Sequence, residues 1–220
     1  MNHLLNPLLL SVKVACSATV LVALLAVPLA YAMARRSFRG KSVLEALFLV
    51  PLVLPPTVLG YLLLSMLGMR GPVGRLLRDL LDHSLLFHWH GAVVAAVVVA
   101  LPLVYLPAKA GFAAVERELE EVARLLGASP AQVFWHVSLP IARRGIGSGL
   151  LLGFARALGE FGATMMVLGN LPGRQTLPIS IYTDYEAGEM ARAVPAVAAL
   201  TAVSLAVVIV YNRSGLSRSE

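Results

Sequence analysis

The sequence predicts an all-α integral membrane protein, and three observations carry that prediction. Apolar runs long enough to cross a bilayer recur along the chain, charge is scarce, and the charges gather between the runs. Of 220 residues, 58% are hydrophobic and 14% charged, where soluble globular domains average roughly half and a quarter. A spanning helix needs about 20 apolar residues, and runs of that order occupy residues 14–34, 46–69, 91–108, 146–169 and 193–211. Apolarity around the whole helix over such lengths suits lipid rather than the core of a soluble protein. Five spans in one membrane domain, 1–220, is the expected organisation, with no internal repeat or low-complexity stretch to divide it.

The first run begins after Lys13 and holds Ala30-Tyr31-Ala32 and Ala32-Met33-Ala34, small-residue patterns that resemble signal-peptide cleavage sites. It is longer than a signal core, and Arg35, Arg36, Arg39 and Lys41 follow at once, so retention as a span is expected. Arg39-Gly40-Lys41-Ser42 ends like a phosphate-binding loop, but Arg35 stands where that motif needs its first glycine, and no strand-like segment precedes it. The chain therefore carries no ATP site of its own. The second run contains Pro51, Pro55 and Pro56 and the third Pro102 and Pro107. Prolines are tolerated in membrane helices where neighbours satisfy the freed carbonyls, and they mark kinks or breaks.

With the N-terminus outside, eleven loop and tail lysines and arginines fall on the cytoplasmic side and five on the other, the arrangement that basic residues prefer. The net charge of +6 thus belongs to membrane flanks and implies no nucleic-acid partner. His83, His88 and His90 lack an acid or cysteine at ligand spacing, so no metal site is expected. Cys16, the one cysteine, lies in an apolar run and has no partner for an internal disulfide.

Between the third and fourth runs lies a segment of different character, residues 115–140. It opens with four acids and an arginine within Glu116–Glu121, while Val115, Leu119, Val122 and Leu126 share one helical stripe. Glu120 and Arg124 form an i,i+4 pair. Gly127 suits a left-handed helix terminus and a close backbone approach. Ser129-Pro130-Ala131-Gln132 then reads as a new start, with a serine cap, proline in the first helical position and glutamine completing a capping box. The second helix is expected to end before Leu139-Pro140, with Trp135 near the membrane surface. An acidic face disfavours simple adsorption to the negative inner leaflet. A stiff helical corner suits insertion into a groove of another protein, and it can transmit that partner's rotation to the spans.

Glu121-Val122-Ala123, Gly127 and Val137-Ser138-Leu139-Pro140 resemble the cytoplasmic loop signature of ABC-importer permeases, which reads Glu-Ala-Ala, three residues, Gly, nine residues, Ile, any residue, Leu-Pro. Val122 and Val137 are apolar departures from it. The resemblance implies a type I ABC importer transmembrane domain whose corner forms coupling helices seated on a separate ATPase. Glu121, Ala123, Arg124, Gly127, Ala128, Ser129, Val137, Leu139 and Pro140 are its implied coupling residues.

In the fourth run Gly145, Gly149, Gly153 and Ala157 recur every four residues, a ridge for close helix approach within the subunit or at a dimer contact. Arg156 and Glu160 can neutralise each other, as charges inside a bilayer must, with Thr164 one turn further on the same face. A structural pair and a pair lining a pathway or gate both fit. Phe154–Thr164 (FARALGEFGAT), Pro51–Leu64 (PLVLPPTVLGYLLL) and Leu171–Thr183 (LPGRQTLPISIYT) resemble the molybdate/tungstate importer permeases, and sulfate permeases share a related stretch. The resemblance implies a homodimeric permease in the inner membrane, with two ATP-binding cassette subunits inside and an oxyanion-binding protein docking on the outer loops, 70–90 and 171–192. It implies no catalytic residue or cofactor in this chain, ATP and Mg belonging to the partner. Thr57, Tyr61 and Ser65 beside Pro55-Pro56 are candidate donors to a desolvated anion. A secondary transporter would need ion-coupling acids within its spans, and only Glu160 lies well inside one. An intramembrane enzyme would need a nucleophile and base, and the spans hold no histidine with a suitably placed serine or cysteine.

Overall fold

The computed structural model describes residues 2–81 and 84–213, so His83 and the tail residue Arg218 lie outside the described residues. Every regular element among them is helical. In chain order they are α1 (Asn2–Arg35), α2 (Lys41–Val53), α3 (Pro56–Leu67), α4 (Pro72–Leu81), α5 (Trp89–Ala113), α6 (Arg117–Leu125) and α7 (Pro130–Val133). A π-helical turn (Phe134–Ser138) leads into α8 (Leu139–Leu158), followed by α9 (Gly162–Leu168), α10 (Leu177–Glu186) and α11 (Met190–Arg213).

α1, α5 and α11 are each long and apolar enough to cross a membrane unbroken. The second and fourth expected spans are not continuous helices. α2 and α3 meet at 114°, and α8 and α9 at 57°. Proline placement explains the first break. A residue before proline is pushed out of the α region, and in Leu54-Pro55-Pro56 two successive residues precede one. Both are extended, Leu54 with ψ 139° and Pro55 with ψ 138°. Single prolines at Pro28, Pro102, Pro107 and Pro195 stay within their helices. The second break has no proline; α8 ends on Gly159, and Phe161 turns away with φ −122° and ψ −61°. Residues 70–90 and 171–192, expected as outer loops, carry α4 and α10. The α10 start is held by α1, where Ser11 Oγ accepts the Leu177 amide at 2.7 Å.

α5 is the central helix, packed between α1 and α8 in the two most extensive helix contacts of the fold. Small side chains make that possible: Ala15, Ala18, Ala26 and Ala30 of α1 and Ala92, Ala96, Ala100 and Ala108 of α5 are fully buried. The glycine ridge of α8 faces the same helix. A Cβ on Gly145 would sit 2.4 Å from the Pro107 carbonyl oxygen, and one on Gly149 2.9 Å from that of Val104. The ridge thus serves packing within the subunit. α11 is mostly exposed, with only Ala193 and Ala196 buried.

Gly145→Ala is expected to lower stability by about 1–3 kcal/mol, the usual effect of overpacking. Gly159→Ala, whose methyl would meet only the Ala155 carbonyl oxygen at 3.7 Å, is expected to stay within about 0.5 kcal/mol of the parent. Thermal unfolding of the purified chain in detergent distinguishes them, and equal melting temperatures would contradict the packing assignment.

Candidate functional site: the elbow and the broken spans

The corner after α5 is built from local signals. α6 closes in a Schellman arrangement, in which the Gly127 amide donates to the Arg124 carbonyl and the Ala128 amide to the Ala123 carbonyl, both at 3.0 Å. Gly127 has φ +90°, and a Cβ there would meet nothing within 4 Å. Conformation alone selects this glycine; the close backbone approach expected of it is absent. Ser129 and Gln132 form the reciprocal capping box, with the Gln132 amide 3.3 Å from Ser129 Oγ and the Ser129 amide 2.7 Å from Gln132 Oε1.

The second helix does not end before Leu139-Pro140. α7, the π turn and α8 run on without interruption, because the π turn widens the ladder just where Pro140 lacks a donor: the Leu139 amide reaches back to the Phe134 carbonyl. The elbow is therefore the first part of a spanning helix, and Val137, Leu139 and Pro140 lie in the join. Phe134 anchors it to the bundle. Its ring lies 4.9 Å from Tyr31 of α1 and 6.0 Å from Phe112 of α5, which are themselves 5.2 Å apart.

The strongest link is Glu120, 3% exposed. Its Oε1 accepts from Arg35 Nε at 2.9 Å and from Ser138 Oγ at 2.6 Å, and its Oε2 pairs with Arg124 at 3.4 Å. Arg35 also donates to the Val115 carbonyl at 3.0 Å. One carboxylate thus joins the end of α1, α6 and the π turn. The sequence placed Glu120 in an i,i+4 pair with Arg124 and linked neither Arg35 nor Ser138 to it, because their meeting depends on chain segments far apart in sequence. The neighbouring Glu121 is exposed, as are Arg124 and Ser129, while Ala123 and Ala128 are half-buried.

The expected apolar stripe divides. Val115 precedes α6 and is buried in the core, 2% exposed. Leu119 and Val122 are about half exposed, at 46% and 53%, and Leu125 and Leu126 stand almost free at 87% and 84%. Trp135 is also exposed. α6 is inverted relative to a surface helix of a soluble protein, with an acid inside and leucines outside. Leu119, Val122, Leu125, Leu126 and Trp135 thus leave apolar side chains exposed on the elbow.

The two broken spans meet. A Cβ on Gly162 would lie 2.8 Å from Pro56 Cβ, and one on Gly60 2.8 Å from Met166 Cγ and 3.0 Å from Ala163 Cα. α3 and α9 therefore run side by side in close contact, and neither glycine was picked out from the sequence. Glu160, 2% exposed, pins the α8–α9 break. Its Oε1 accepts the Ala163 amide at 2.9 Å, and its Oε2 lies 2.6 Å from Arg156 Nη1 in an ion pair not aligned as a hydrogen bond. Thr164 lies across the break from Arg156 and is buried, so it lines no open surface of this chain. Thr57, Tyr61 and Ser65 form one exposed stripe on α3, where Ser65 Oγ donates to the Tyr61 carbonyl at 2.8 Å. No cluster of histidine, cysteine or acid suited to a metal occurs among the described residues.

A helical membrane bundle with a rigid, apolar-faced elbow at one end and two broken spans within it has the architecture of a transport permease. The chain belongs to the family described as binding-protein-dependent transport system inner membrane component, whose model matches residues 26–215. It is 42% identical over 188 residues to a putative molybdenum transport system permease protein, YvgM, of Bacillus subtilis, covering 85% of this chain and 83% of that one. It is likewise 42% identical over 176 residues to the molybdenum transport system permease protein ModB of Escherichia coli K12, covering 80% and 77%. The fold matches a bacterial ABC transporter involved in alginate import, with a TM-score of 0.74 over 100% of this chain and 81% of that one. At 14% identity, that likeness bears on the fold alone.

The adjacent glutamates of α6 provide a test of the Glu120 junction. Glu120→Ala leaves the part-buried Arg35 without its carboxylate and Ser138 without its acceptor, and is expected to cost on the order of 3 kcal/mol, whereas Glu121→Ala stays within about 0.5 kcal/mol. Thermal unfolding in detergent measures both, and comparable losses would refute the junction.

Proposed function

We propose that this chain is the permease subunit of an ATP-driven importer of molybdate or tungstate, formed as one membrane domain and working as a homodimer with two ATP-binding cassette subunits. In this reading the N-terminus lies outside and the elbow faces the cytoplasm. ATP and Mg are held by the partner, and an external oxyanion-binding protein docks at the end carrying α4 and α10. The molybdenum transport names of relatives above 40% identity support the cargo.

The observation that carries the reading is the inverted elbow. Leu125 and Leu126 project from a corner that Glu120, Phe134 and the unbroken run into α8 hold rigidly to the bundle. An apolar helix face laid in a groove of the ATPase would cover them, and a stiff corner would pass the motor's movement to α8. The coupling role that the family resemblance implies for Glu121, Ala123, Arg124, Gly127, Ala128, Ser129, Val137, Leu139 and Pro140 is supported by their place in this corner. For the pathway, the exposed hydroxyls of Thr57 and Tyr61 offer donors without fixed charge, from which an anion can leave again, and Ser65 would join them on giving up its bond to the Tyr61 carbonyl. Arg156 and Glu160 act by holding the bend of α8 and α9.

The decisive measurement is uptake into vesicles containing the chain, its ATPase and the purified receptor, with labelled molybdate in competition with tungstate and sulfate. Uptake is expected to require ATP and to be competed by tungstate more than by sulfate. Transport without nucleotide would identify a secondary transporter instead. Gly127→Val, which forces a branched residue into a positive φ, and the pair Leu125→Ser with Leu126→Ser are expected to leave the protein inserted while abolishing ATPase association and uptake. Retained co-purification with the ATPase in both would refute docking at the elbow.

A further inference from the structure

At the end of the bundle opposite the elbow, a cavity of about 570 Å³ opens between α1, the start of α5 and the turn after α9. Asn6 and Lys13 of α1, His88 and Trp89, and Gly173 and Arg174 supply its polar wall, and no carboxylate among the described residues lines it. The Lys13 ammonium lies 3.7 Å from the centroid of the Trp89 ring. That contact orients the lysine at the cavity wall and leaves its charge in place. Among the described residues neither Lys13 nor Arg174 forms a salt bridge. Two exposed cations at one concavity, without a carboxylate partner among the described residues, concentrate positive potential there.

Lysine and tryptophan at a membrane boundary are also a common interfacial anchor. That accounts for Lys13 and Trp89, but not for Arg174, which a separate turn brings to the same cavity. Arginine presents a planar fork matched to two oxygens of one anion, and lysine adds a compact charge with three donors. We propose that this cavity binds a tetrahedral oxyanion group, held by Lys13 and Arg174 with the Asn6 amide as a neutral donor. The group comes either from a free oxyanion or from the phosphate of an anionic lipid. The inference is independent of what docks at the elbow.

The chain has two tryptophans, so Trp135→Phe leaves Trp89 as the only indole reporter, beside the proposed site. Full-length chain in phosphatidylcholine nanodiscs is titrated with molybdate, sulfate and inorganic phosphate. A saturable change in Trp89 emission is expected, weakened about tenfold or more by Lys13→Gln or Arg174→Gln and less by Arg174→Lys. Arg78→Gln, an exposed charge outside the cavity, is expected to change nothing. If a lipid phosphate is the occupant, the emission shift instead appears in phosphatidylglycerol nanodiscs without added oxyanion, and Lys13→Gln removes it. The absence of a saturable response to any oxyanion and to phosphatidylglycerol would overturn the proposal, as would equal weakening by Arg78→Gln.

Discussion

The Glu120 carboxylate is the constraint on which the mechanical character of this protein depends. A buried ion needs both an opposite charge and hydrogen bonds to offset its lost hydration. Arg35 and Arg124 supply the charge, and Arg35 and Ser138 the hydrogen bonds. Because these groups come from the end of α1, from α6 and from the π turn, the requirement cannot be met unless all three are in place. The same arrangement turns α6 so that its acid faces the bundle and its leucines face away. The apolar outer face and the rigidity of the elbow thus have one electrostatic origin.

That rigidity reaches the spans through continuity. Pro140 would ordinarily stop a helix, but the π turn before it lets α7 and α8 form one run. Movement of the elbow is movement of α8. Gly145 and Gly149 place α8 directly against the backbone of α5, so no long side chains stand between the run that carries the elbow and the central helix.

At its other end α8 stops at the break held by Glu160, and there α9 lies against α3 after the second broken span. Both breaks expose backbone groups that a membrane interior does not solvate. The Glu160 carboxylate satisfies one of them, the Ala163 amide, while Arg156 balances its charge. A second charged link, Lys109 to Glu45 at 2.6 Å, ties α2 to α5 at the elbow end. Glu45, Glu120 and Glu160 thus each stand at a joint between helices.

The sequence by itself determined the class of the protein and the local grammar of the elbow. Span length and composition are properties of single segments, and so are a Schellman glycine, a capping box and a Pro-Pro kink, so each is readable without knowing the fold. Gly127, Ser129 and Gln132, and Leu54-Pro55-Pro56 stand as their local chemistry requires. The tertiary structure alone decided which face of α6 turned inward, because that depended on Arg35 and Ser138 arriving from distant segments. It also decided the break after Leu158, which carries no proline, the close packing of α3 on α9 at Gly60 and Gly162, and the placing of Lys13 and Arg174 on one cavity. The physical reason is the same for the face of α6, the approach of the glycines and the shared cavity: each depends on segments remote in sequence coming together, and no periodicity within one segment records it, while the break is held by Glu160 through its near neighbours Arg156 and Ala163.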